Sequence, residues 1–341
     1  MKKLFAIILS LAMVLSLAAC GGKTDGTTAP AGSGSAQVDW PKGNISIIVP
    51  FAAGGAMDLS ARLTARYLEK YLKVTVTVDN VEGGANWTGY EQIEKAEGDG
   101  YTLGFANYPG QVGGYLDPSK KRSETFRSFT NIANIVHDPG IIVVREESPY
   151  QTLEDLLNAA KNGTVLNVAT GGGNGSDDDT LVRLINRAMG NENLNSLKNE
   201  NDKNAQAALF GGEADLQACN VSNYCKTYMN KGQTDSVRVL AIFDAEKQSL
   251  MPDIPTVDEL NIPELKGLYS SSDRGLIATK NLDPAIVPLI VDALKKTQED
   301  PDFINDANTQ GMAINMLFGE DFEKFIEGVE TTIKELKIYG D

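Results

Sequence analysis

The chain has 341 residues, 42% of them hydrophobic, and carries 31 Lys and Arg against 46 Asp and Glu for a formal net charge of −15. That length and apolar content suffice for two domains with cores of their own. The acidic excess leaves no basic stripe to meet phosphates and argues against a nucleic-acid partner. A single His and three Cys show no spacing that resembles a zinc site, so no metal is expected.

Met1-Lys2-Lys3 precedes an apolar run from Leu4 to Leu17. A basic start, a short apolar core and small residues beyond it read as a secretory signal. The run falls short of the ~20 residues that span a bilayer. Leu17-Ala18-Ala19-Cys20 resembles a bacterial lipobox, which implies removal of 1–19 and lipidation of Cys20. Residues 20–39 are rich in Gly, Ser, Thr, Ala and Pro and read as a flexible tether. Gly21-Gly22-Lys23-Thr24 lacks the first glycine of a phosphate-binding loop and is rejected as one.

Ile45–Val49 is a β-branched run that predicts a buried strand. The turn Pro50-Phe51-Ala52-Ala53-Gly54-Gly55-Ala56-Met57-Asp58 follows, then a helix to Leu72 with Leu59, Leu63, Tyr67 and Tyr71 on one stripe. A glycine turn before a helix presents free N–H groups and a positive dipole end, fit for a carboxylate or phosphate. The same unit recurs. Val74–Val78 leads through Asp79–Asn86 to a helix from Trp87 to Lys95, and Thr102–Ala106 leads into Asn107-Tyr108-Pro109-Gly110. Such alternation implies an α/β fold with a mainly parallel sheet, and ligands gather at the carboxyl ends of its strands.

Ile132–Val136 and Ile141–Val144 flank His137-Asp138-Pro139-Gly140, taken as the first passage between two lobes. Thr152 caps a helix to Ala160 through a box with Asp155. Leu166–Ala169 is a strand entering Thr170-Gly171-Gly172-Gly173-Asn174-Gly175-Ser176, and a helix runs from Asp177 to Met189. Ala205–Phe210 reads as a helix, and Ala214–Asn220 and Val237–Ile242 as strands. Asp253–Val257 precedes an acidic helix start, and Gly275–Ala278 returns to the first lobe. Helices Pro284–Thr297, Pro301–Thr309 and Gly319–Leu336 close the chain. The expected lobes are 40–137 with 275–341, and 138–274. Cys219 and Cys225 are either a single disulfide or two partly buried thiols.

Each candidate site residue has a bland reading beside the functional one. Gly54 and Gly55 can simply satisfy a tight turn. Two such turns, before two helices in two lobes, point to a shared anion pocket. Asp58 either complements its helix dipole or accepts a hydrogen bond from a ligand. Phe51, Ala53 and Ala56 flank that turn. Thr170, Asn174, Gly175 and Ser176 form the second turn, where the polar side chains bond either a ligand or their own backbone. Asn86, Asn107 and Asn220 lie at or just beyond strand ends. Trp87 is first a packing residue. Asp177, Asp178 and Asp179 stabilise a helix start, yet they would repel a dianion. Either they point outward, or the ligand carries a cationic or hydroxyl portion beside its carboxylate. Arg274 and Arg62 are candidate counter-charges, Arg62 on the solvent side of its helix.

Trp40-Pro41, Ile47–Gly55 with Asp58, Asn80-x-x-Gly83 with Gly89, Asp99–Leu103, Phe129–Ala133, Arg238–Ala241 and Met251–Val257 follow in order. Together with Gly311 and Phe322–Glu330, this order resembles the TctC-like, Bug-type receptors of tripartite tricarboxylate transporters, from Trp40 onward. The resemblance implies a two-lobed periplasmic-binding-protein fold of Venus-flytrap type with a hinge, no enzymatic activity and no cofactor. It implies a small organic carboxylate ligand and a large and a small membrane subunit as partners. The receptor is expected to be a monomer held to the membrane only by its lipid. The sequence departs from the family pattern at Ala56-Met57, Gly83–Asn86, Thr170–Ser176 and Ala218-Cys219-Asn220, which leaves ligand identity open. A receptor reporting to a sensor is a rival reading. A secreted enzyme is another, opposed by the absence of a Gly-x-Ser-x-Gly elbow and by a lone His137.

Overall fold

A computed structural model describes residues 38–84, 86–337 and 339. The expected leader 1–19, Cys20 and the tether to residue 37 lie outside the described residues. The elements are β1 (Ile45–Val49), α1 (Ala56–Leu72), β2 (Val76–Asn80), α2 (Trp87–Glu94), β3 (Thr102–Tyr108), α3 (Gly110–Leu116) and β4 (Phe129–Arg145). There follow α4 (Leu153–Lys161), β5 (Leu166–Thr170), α5 (Asp177–Met189), β6 (Leu194–Lys198), α6 (Asp202–Gly211), β7 (Leu216–Asn220), α7 (Val221–Tyr224) and β8 (Val237–Ile242). The chain ends with β9 (Ser271–Thr279), α8 (Val287–Gln298), α9 (Pro301–Thr309) and α10 (Gly319–Glu335). None of the described helices is long and apolar enough to cross a membrane.

The strands run in the order β2-β1-β3-β9-β4-β7-β5-β6, with β8 also on β4. The first lobe holds β2, β1, β3, β9 and the first part of β4; the second holds the end of β4 with β7, β5, β6 and β8. Strand periodicity explains why each sheet is covered on both faces. Ile47 and Val49 pack under α1 and α8 with Leu63, Leu68 and Ile290. Their neighbour Ile48 turns to the other face, among Tyr90, Ile93, Phe322 and Ile326. In the second lobe Ile142 and Val144 join Leu156, Leu181 and Ile185, while Ile141 and Val143 join Leu209, Tyr228 and Met251.

Three expectations are corrected. The sheet is mixed: four strand pairings are parallel and four antiparallel. The parallel ones are the βαβ units, and the antiparallel ones all involve the long crossing strands β4 and β9. Second, Pro139-Gly140 does not break the chain into two strands. β4 runs through, pairing β9 up to Pro139, β7 from Gly140 onward and β8 from Ile141 onward. Gly140 N–H donates to Ser270 O at 2.7 Å and Phe243 N–H to Gly140 O at 2.8 Å, so backbone bonds continue across the join. Third, the helix start expected after Val257 is a turn, in which Glu259 accepts the Thr256 N–H at 3.0 Å. β6, α3 and α7 are additional to the expected elements. Cys219 and Cys225 are free, buried thiols; burial raises the pKa of both, that of Cys225 to about 11.

Candidate functional site

The turns that leave the carboxyl ends of β1, β2, β3, β5 and β7 face one another across the cleft between the lobes. Two connected compartments lie there, of about 620 Å³ and 370 Å³, sharing Phe51, Asn107, Gly172 and Asp177 in their walls. Asn86, Asn174, Gly175 and Ser176 line the larger one, and Gly55, Ala56 and Asn220 the smaller. Ala53, Gly54, Asp58 and Thr170 line neither. Thr170 is buried, its hydroxyl engaged with Ser196 Oγ at 3.1 Å and Leu197 O at 3.3 Å. Trp87 edges the larger compartment but mainly packs: it is buried, and its Nε1 donates to Glu124 at 2.8 Å.

The two glycine turns are held by the same device. Asp58 is the third residue of α1 and 2% exposed. Its carboxylate accepts the Gly54 N–H at 2.8 Å and Arg62 Nε at 3.0 Å, and Arg62 continues to Asn80 Oδ1 at 2.9 Å. Burial works against that carboxylate, but Arg62, Gly54 and Asn80 outweigh it and hold its pKa below the usual value. Asp179 is the third residue of α5 and fully buried. It accepts the Gly175 N–H at 2.9 Å and Arg183 Nε at 3.0 Å, and Arg183 continues to Asn174 Oδ1 at 3.0 Å. A carboxylate at the third helical position and an arginine one turn later thus brace each turn from behind. Ser176 adds a bond to Gly171 O at 2.7 Å and accepts the Asp179 N–H. The structural reading of Asp58 is therefore the one its contacts support, and Arg62 is spent on Asp58.

The aspartates of α5 do not point out to solvent. Asp178 and Asp179 turn into their own loop, Asp178 accepting the Gly171 N–H at 2.9 Å. Asp177 faces the cleft. Burial and the neighbouring Asp202 push its pKa up to about 6. Burial and Asp177 raise Asp178 further, and burial also raises Asp202. At the base of the smaller compartment Arg274 is 5% exposed. Its Nη2 donates to Asp138 at 2.8 Å, and Asp138 also accepts the Ser222 N–H at 2.8 Å. Two lining residues are not among those expected: Asp202, which opens α6, and Gln111, in the glycine-rich α3. An Asn201 cap after a strand was the available signal for the former; a run reading Gly-Gln-Val-Gly-Gly offers none for the latter.

His137 lies apart from this cleft and is not alone. Its Nδ1 is 2.8 Å from Asp273 and its Nε2 3.1 Å from Asp244. Burial would lower its pKa, but the two carboxylates overcome it and push the imidazole up to about 10.

The chain is 30% identical over 267 residues to a UPF0065 protein of Agrobacterium vitis, covering 78% of this chain and 74% of the relative. A TctC solute-binding protein from Polaromonas superposes with a TM-score of 0.75 at 24% identity, over 87% of this chain and 98% of that one. An R. palustris protein solved with adipate superposes at 0.71 and 20% identity, over 88% and 97%. These likenesses give the fold, a two-lobed α/β solute-binding architecture. The description "Tripartite tricarboxylate transporter family receptor" matches residues 60–338. The chain belongs to that family, the TctC-like receptors of the tripartite tricarboxylate transporters.

Proposed function

We propose that this protein is an extracytoplasmic receptor that closes on a small organic carboxylate between its lobes and releases it unchanged to a transporter. The observation that carries the reading is the convergence of two helix N-termini, α1 and α5, from opposite lobes on one cleft that also holds a buried arginine. The adipate held by the R. palustris protein supports a carboxylate as the guest. The contacting residues we assign are Phe51, Gly55, Ala56, Asn86, Asn107, Asn174, Gly175, Ser176, Asn220 and Arg274. We read Cys20 as the lipid tether to the membrane and the receptor as a monomer, and family membership implies a large and a small membrane subunit as the acceptors of the solute.

A panel of mono-, di- and tricarboxylates in a thermal-shift assay tests the binding step. At a hundredfold excess over Kd a ligand stabilises the folded state by about 2.7 kcal/mol. Absence of any shift across the panel refutes a carboxylate ligand. Turnover of a bound candidate would mark an enzyme instead. Metabolic lipid labelling lost in Cys20→Ala tests the anchor, and ligand-dependent uptake by vesicles holding both membrane subunits tests delivery.

A further inference from the structure

One glycine from each lobe makes room for the same side chain. Gly113 stands inside α3, where glycine weakens a helix and no positive φ calls for it. A Cβ built there would lie 2.5 Å from Tyr339 Oη, and the three heavy atoms nearest to it all belong to Tyr339. Gly175, in the turn before α5, repeats this from the second lobe. A Cβ there would collide with the same Oη and lie 3.0 Å from Tyr339 Cζ. The Tyr339 hydroxyl is thus pinched between the lobes, in the wall of the larger compartment. Its ring packs against the first-lobe cluster that includes Phe322, Ile326 and Ile333 of α10. Burial raises the pKa of this phenol, and the charges it feels come from both lobes: Asp117 from the first, Asp179 and Arg183 from the second. A second contact joins the same parts. Arg187 of α5 donates from Nη1 to Glu335 O, the carbonyl of the last residue of α10. A cation there satisfies a helix-end carbonyl and complements the dipole.

We propose that the segment following α10 is a strap that ties the two lobes together across the larger compartment, with Tyr339 as its bolt and the Arg187–Glu335 bond as its second fastening. α10 is built into the first lobe by its buried face, so both ties reach from the first lobe to the second. Parting the lobes carries Gly175 away from Gly113, and the hydroxyl then keeps only one of them. The ring stays with the apolar cluster that covers it. The strap thereby limits how far the cleft gapes before solute arrives. It acts at a different place from the β4–β9 crossing: Ser272 and Arg274 of the crossing line the smaller compartment, and Tyr339 lines the larger. Glycine is needed at 113 because a side chain would expel the bolt. At 175 it is needed twice over, for the ring and for a φ of 75°. The inference goes beyond the receptor reading and does not depend on which solute the cleft takes.

Amide hydrogen exchange and small-angle X-ray scattering of the whole protein, stripped of solute, test this in Tyr339→Ala, Arg187→Ala, Gly113→Ala and the double variant Gly113→Ala/Tyr339→Ala. Tyr339→Ala and, separately, Arg187→Ala should each speed exchange in the turn at 171–176 by about fivefold or more. Tyr339→Ala should also enlarge the radius of gyration, while the amides of β3 and β5 keep their protection. Gly113→Ala should act like Tyr339→Ala, because it expels the ring. In the double variant it should add nothing. There the new alanine should raise the melting temperature, since only its helix propensity is left to act. Unchanged exchange and an unchanged radius in Tyr339→Ala overturn the strap. Faster exchange at an unchanged radius also overturns it, because Tyr339 then only covers the turn. So does an effect of Gly113→Ala that persists in full without the tyrosine, which puts its cause elsewhere.

Discussion

Asp177 and His137 bear opposite charges but tie stability to pH in the same direction. An acid whose folded pKa is about 6, against ~3.9 in an unfolded chain, binds more protons when folded. Its burden on the fold is absent below about pH 4 and complete above about pH 6. Asp177→Asn should therefore stabilise the unliganded protein by roughly 1–3 kcal/mol at pH 7.5 and by nothing near pH 4. Urea titrations at four pH values decide it; a gain that does not vary with pH would count against a charged Asp177. His137 is a base whose folded pKa is raised to about 10 by Asp273 and Asp244. Its contribution is full below about pH 6.5 and is lost as pH rises through 10. The wild type should lose stability between pH 7 and 10, and His137→Gln should flatten that slope.

At the scale of elements, the paired turns are the recurring unit. Asp58 holds both an arginine and the Gly54 N–H, so Asp58→Asn should cost about 1–3 kcal/mol. Arg62→Ala should cost less than about 1 kcal/mol, because Arg62 is half exposed; chemical denaturation of both variants checks the order. Gly55 is different. A Cβ there would meet Ala52 O at an ordinary 3.5 Å, so Gly55→Val should fold normally. It should nonetheless lose at least tenfold in ligand affinity, since the added side chain occupies the cleft; unchanged affinity in calorimetry would remove that turn from the site. The units built from a β-branched run, a glycine turn and an amphipathic helix were legible in the sequence, because each signal is local: β1 to α1 and β5 to α5 stand where their patterns place them. β6 was not, since Leu-Asn-Ser-Leu-Lys at a sheet edge alternates too weakly. β4 was read as two strands because Pro-Gly is a turn signal that the flanking ladder overrides. Of the site, the turn residues and a structural role for Asp58 at its helix start are legible, but the contacts by which Asp58 and Asp179 brace their turns are not. Which way a carboxylate turns depends on an arginine one helical turn later and on a backbone N–H behind it, a tertiary matter that spacing alone does not decide.

For the whole molecule, two cores on either face of each sheet make the lobes stiff bodies, and the acidic surface sets how they meet a solute. Long-range repulsion slows a small dianion and is screened by salt. Association of a plain dicarboxylate should therefore speed up as ionic strength rises, whereas a ligand of zero net charge should be nearly indifferent; stopped-flow rates at low and high salt distinguish them. The path of β4 has a mechanical consequence. Because one hydrogen-bonded ribbon serves both sheets, a closure of the lobes on solute is expected to twist that ribbon and not to part it. Opening should then be rapid and should leave the amide proton of Gly140 shielded from deuterium in free and loaded protein alike. The glycine turn at 171–176, whose Gly171 and Gly172 share a wall with Ser272 and Arg274 beside the crossing, should change its exchange rate when solute enters.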